Sequence, residues 1–120
     1  MSFTSKIRPY VDHEVALARE RQLAGDVAAE FRHLERAHVL GQTSTIEHLR
    51  THCLMLSWGM RNRNPKEIIG QVTRILGAAV VTPIGRVPIG NTGGSNISPF
   101  KPMPIPADLQ AILDSVASKK

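Results

Sequence analysis

Three residues in the first half of the chain, His38, His48 and His52, have the type and spacing of a metal site. Each lies on the apolar stripe of a helical segment, and a buried imidazole without a partner costs about 1–3 kcal/mol. With about 100° of turn per residue, His38 falls within about 40° of Val27, Phe31 and Leu34. His48, His52, Met55 and Leu56 share a sector about 100° wide. Thr43 is midway between positions 38 and 48, so an antiparallel hairpin folded there sets His38 opposite His48, with His52 one turn further on. An i, i+4 histidine pair is the spacing that helical zinc sites use.

Glu35 and His38 form an ExxH unit, the pattern by which carboxylate-bridged bundles direct ligands inward. The facing helix offers His48 and His52 rather than a second ExxH, which points to one ion held by three histidines and one carboxylate. Glu35 is one candidate for that carboxylate, and Glu14, at the margin of the first helix's apolar face, is another. Such ligands suit zinc, copper, iron or nickel without distinguishing them. Met55 on the histidine face would favour copper(I), whereas Cys53 lies about 100° round the helix from His52. A metal-free histidine–glutamate network in the core has the same signature. His13 and His33 fall off the inward faces and read as surface residues.

A second stretch able to do chemistry is Pro-Ile-Gly-Asn-Thr-Gly-Gly-Ser-Asn at 88–96. Consecutive backbone N–H groups at Gly90, Asn91, Thr92, Gly93 and Gly94 could form an anion-binding nest. The stretch lacks the Lys-Ser/Thr ending of a phosphate-binding loop and the GxGxxG spacing. It also fits a tight chain reversal, or a cover over the histidines with Phe100 and Met103 lining the space beneath.

The elements that must position these residues are mostly helical. Helical spacing runs over 6–24, 27–40, 45–60 and from Pro65 to Thr82, with Asp26 and Asn64 as N-caps, Gly41 as a stop and Glu67 completing a capping box. Six of the eight prolines lie between Pro83 and Pro106, which excludes a helix there. Ile84, Val87, Ile89, Ile97, Phe100, Met103 and Ile105 are spread through the same segment and need somewhere to pack. The expectation is one domain over 1–120: a four-helix core at 6–82, an ordered strap at 83–105 and a short helix at 106–117.

Composition narrows the function. One cysteine rules out an intramolecular disulfide and a Cys-rich zinc module. No apolar run is long enough to span a membrane, and Met-Ser-Phe-Thr-Ser-Lys-Ile-Arg-Pro-Tyr has no signal-peptide character, so a cytoplasmic location is expected. The net charge of +5 is dispersed in pairs such as Arg61/Arg63, which argues against a nucleic-acid partner. No separate nucleophile or general base is recognisable, which argues against an enzyme.

Two resemblances add to this. Residues 16–42 resemble a tetratricopeptide-repeat hairpin in their spacing and Gly-Asp turn, with Glu30, His38 and Gln42 departing from that pattern. Two such hairpins closed by the strap imply a module with a groove for a protein partner. FRHLERAHVLGQ at 31–42, HLRTHCLML at 48–56 and PIGNTGGSN with FKPMPIPADL at 88–109 resemble a small bacterial family of unknown function, with LERAH-x-LGQ and P-x-GNTGG blocks. Its members are often encoded near heavy-metal resistance genes, so the resemblance implies metal handling by sequestration, sensing or delivery. It carries over no activity and no oligomeric state.

Overall fold

A computed structural model describes residues 1–118, with five α-helices and no strand among them. The helices are α1 (Phe3–Leu23), α2 (Val27–Gly41), α3 (Thr45–Arg61), α4 (Pro65–Val81) and α5 (Ala107–Ser118). Helices α1 and α2 pair, α2 and α3 pair, α3 and α4 pair, and α5 returns to α1 and α2. The mostly-α expectation holds.

Caps set the helix starts. Ser2, Asp26, Ser44 and Asn64 each accept an N–H from the third residue onward: Ser5, Ala29, Glu47 and Glu67. Ser2 starts α1 three residues before the expected position, so exposed Pro9 lies within the second turn. The expected capping box on α4 forms only in part. Asn64 caps Glu67, but the Asn64 N–H goes to the carbonyl of Gly59 and the Glu67 carboxylate turns to Gln71 and Ser95.

Gly41 ends α2 by close approach, not by a left-handed turn. A Cβ there would stand 2.7 Å from the Glu47 Cβ, so glycine lets the two helices meet at the hairpin.

Two apolar clusters hold the bundle. Ile7, Val11, Ala37, Val39, Leu40, Leu109 and Val116 join α1, α2 and α5. Ala18, Leu34 and Met55 join α1, α2 and α3, and Met55 therefore belongs to the packing between helices. Buried carboxylates lie among them. Glu47 accepts from Arg8 and Arg50, and Glu30 on α2 accepts from Arg61 on α3.

Helix α4 turns polar residues inward beside Ala78 and leaves much of its apolar surface outside. Its buried residues are Glu67, Gln71 and Ala78. Ile69, Val72, Leu76 and Val80 are exposed. The segment 83–106 that follows has neither helix nor strand, yet the body of the protein holds it by directed bonds. The Gln42 amide donates to the Pro88 carbonyl at 2.7 Å and accepts from the Gly90 N–H at 3.1 Å. Buried Asn91 donates to the carbonyls of Ser98 and Lys101 and accepts from the Gly93 N–H. Arg74 on α4 donates to the Ile97 carbonyl.

Candidate metal centre

His38 comes from the last turn of α2, and His48 and His52 from successive turns of α3. All three are buried. Their ring centroids are 4.6, 4.8 and 4.9 Å apart, nearly an equilateral triangle. The Nε2 atom of His52 lies 3.2 Å from that of His38 and 3.1 Å from that of His48. Tetrahedral ligation at about 2.0–2.1 Å per nitrogen puts neighbouring nitrogens about 3.3 Å apart. The expected opposition of His38 and His48 is thus a three-way convergence with His52 Nε2 between the other two.

The Nδ1 atoms face outward, and each has a partner. That of His38 lies 2.7 Å from the Asn91 carbonyl oxygen, that of His48 2.6 Å from Thr82 Oγ1, and that of His52 2.7 Å from Gln71 Oε1. A carbonyl oxygen only accepts, so His38 carries its proton on Nδ1. The Gln71 amide nitrogen donates to Glu67 and to the Gly93 carbonyl, which fixes its oxygen towards His52, so His52 is also protonated at Nδ1. The Nε2 lone pairs of both rings therefore face each other at 3.2 Å with no proton between them.

The electrostatics keep the rings neutral. Burial, reinforced by His52 and His48, holds His38 well below the ordinary histidine range. Burial and His52 push His48 down to about 3. Burial pushes His52 down to about 4 even though its bond to Gln71 acts the other way. Neutral imidazole is the ligating form, and an outward Nδ1–H bonded to a carbonyl or amide is how metal-binding histidines are oriented.

Neither candidate carboxylate joins the cluster. Among the described residues the histidines alone form the group able to hold an ion. Glu14 is buried but accepts from Arg36 at 2.8 Å and bonds His33 Nδ1 at 3.0 Å. His33 is accordingly a half-buried partner of Glu14, not a surface residue, while His13 is exposed as expected. Glu35 is half-buried, and burial raises its carboxyl against the opposing bond from Thr92. Cys53 is exposed.

The glycine loop lies over the rings. A Cβ on Gly93 would come within 2.7 Å of His38 Cδ2, and its φ is +87°, so glycine is required twice over. The N–H groups of Gly90, Asn91 and Gly93 donate to Gln42, Pro88 and Asn91 respectively. The loop thus acts as a cover that supplies the Asn91 carbonyl. Beside it a cavity of about 210 Å³ reaches all three histidines, walled by α4 and by strap residues that include Phe100. Met103 is not among its lining residues and instead bonds Ile89 through its N–H.

Sequence reasoning found the three histidines and missed what aims them: Gln71, Thr82 and Asn91. The available signal was polar residues placed where α4 and the strap must turn inward. No curated protein and no solved structure matches the chain. A family model described as "Protein of unknown function (DUF3703)" matches residues 5–113, and the chain belongs to that family.

Proposed function

We propose that this protein binds one divalent transition-metal ion through Nε2 of His38, His48 and His52, and serves in intracellular metal handling by sequestration, sensing or delivery. The observation that carries this reading is the pair of opposed lone pairs on His38 and His52, 3.2 Å apart, with both Nδ1 protons committed elsewhere. A cation between them turns a repulsion into two bonds. Zinc, copper, iron and nickel all suit the ligand set. Three protein ligands leave a fourth position, which the cavity reaches. The heavy-metal setting implied by the family resemblance agrees with this reading.

The test is metal analysis of the purified protein and of a variant with His38, His48 and His52 all changed to Ala. The expected result is about one ion per chain, lost in the variant, with a chelator lowering the melting temperature of the native protein alone. Binding weaker than micromolar, with melting indifferent to chelation, would sink the reading.

A protein-interaction module is the second reading. It draws on the exposed stripe of Ile69, Val72, Leu76 and Val80, which lies on α4 away from the histidines.

A further inference from the structure

The outer face of helix α4 is apolar, uncharged and uncovered. Ile69, Leu76 and Val80 are 68, 68 and 66% exposed, and Val72 beside them is 47% exposed. Among residues 67–85 no charged side chain is exposed: Glu67 is buried, and Arg74 turns its guanidinium to the strap. The chain nonetheless carries a net charge of +5. An acidic peptide or a nucleic acid finds no counter-charge on this face, and a second copy of the chain meets no like charge along it.

Gly77 lies at the edge of the same face. Glycine is the poorest helix former after proline, and a Cβ there would meet nothing within 4 Å, so no contact within the chain requires it. What the missing side chain permits is the close approach of another backbone.

The spacing matches its own copy. At about 100° per residue, Ile69, Leu76 and Val80 fall within about 40° of one another, with Thr73 and Gly77 on one flank of them. A second α4 laid antiparallel on this face, about a two-fold axis at residue 75, brings residues equidistant from 75 level with each other. Leu76 then meets Leu76 of the second copy across the axis, and Ile69 meets Val80 at each end. Thr73 lies level with Gly77 on the same flank of both helices. Large side chains thus meet along the middle and small ones along the flank, as interdigitating helices require.

The area suits a weak, specific dimer. The exposed apolar surface is on the order of 500 Å² per copy, so a pair would bury about 1,000 Å², where specific interfaces begin. Association of that size falls in the micromolar range.

We propose that the protein forms a two-fold dimer by antiparallel pairing of α4, with Leu76 at the axis and Ile69 against Val80 at either end. This rests on the interaction reading of the α4 stripe and is independent of bound metal.

The experiment is sedimentation equilibrium of the full chain at rising concentration, joined to trapping by oxidation. The native chain should pass from monomer to dimer with a micromolar dissociation constant. G77L adds apolar surface and helix propensity, so a merely adhesive face would associate more tightly. The matched face should instead associate at least tenfold more weakly, with the circular dichroism of the native fold retained. With exposed Cys53 changed to Ser, Leu76→Cys should oxidise to a covalent dimer at least tenfold faster than Leu23→Cys, a site 77% exposed on α1. A native chain that stays monomeric at millimolar concentration would overturn this proposal alone and leave the stripe to a different partner. A dimer held as tightly by G77L, or cysteine pairing no faster at 76 than at 23, would overturn the pairing through α4. Both results together would place the contact elsewhere and overturn the interaction reading of the stripe as well.

Discussion

At the scale of single residues, the centre depends on small groups that carry no metal-binding chemistry themselves. Gly93 is the sharpest case, since any side chain there strikes the His38 ring and its backbone lies in the left-handed region. Gly93→Ala should therefore lower metal affinity at least tenfold and cost about 1–3 kcal/mol of stability. Isothermal titration with zinc and urea melts would check both effects, and native-like values would show that the loop is not seated on the ring. The histidines were legible because their spacing obeys the helical period. Gln71, Thr82 and Asn91 were not, because a hydrogen bond spanning 19, 34 or 53 positions leaves no local pattern in the chain. Glu14 is buried as its place beside the apolar face of α1 suggests, but a carboxylate takes the nearest cation, and Arg36 reaches it first.

At the scale of elements, the helix starts could be read from their caps, since Asp26 and Asn64 act within one turn of themselves. Which face of α4 points inward could not. Its isoleucines, valines and leucines suggest an inward stripe, yet Gln71 must face His52 and Glu67 must face Ser95, and those demands rotate the helix. The same rotation leaves Ile69, Val72, Leu76 and Val80 facing outward. If that stripe receives a partner, Ile69→Lys with Leu76→Lys should abolish the association and change stability by no more than about 0.5 kcal/mol. Sedimentation at rising protein concentration, with the native chain as reference, tests whether the partner is a second copy. Equal, monomeric behaviour of the two would remove self-association as its role. The strap's apolar residues did not reveal what holds it: Ile84, Ile89 and Phe100 are exposed, and its anchoring through Gln42, Arg74 and Asn91 is a matter of individual bonds.

At the scale of the whole molecule, the buried rings tie stability to pH. An unfolded histidine takes up a proton near 6.5, whereas folded His48 and His52 do so near 3 and 4. Between these limits the unfolded chain binds more protons, so stability of the metal-free protein falls as pH drops below about 6.5. Each ring contributes a slope of about 1.4 kcal/mol per pH unit until its folded pKa is reached. With three such rings the slope is about 4 kcal/mol per pH unit, so metal-free protein should unfold cooperatively between about pH 4 and pH 5 for an ordinary total stability of about 5–10 kcal/mol. His48→Gln should reduce the pH slope by about one proton, measured by circular dichroism across a pH series. An unchanged slope would mean that the ring is not buried neutral.

The order of these residues along the chain has a consequence for biosynthesis. The histidines at 38, 48 and 52 leave the ribosome before Gln71, Thr82 and Asn91, which aim them. Until the strap has emerged, the His38 ring lacks the Asn91 carbonyl that fixes its tautomer. On the metal reading proposed above, capture of an ion would be a late event in the life of the polypeptide, licensed by the last residue of the set to be translated.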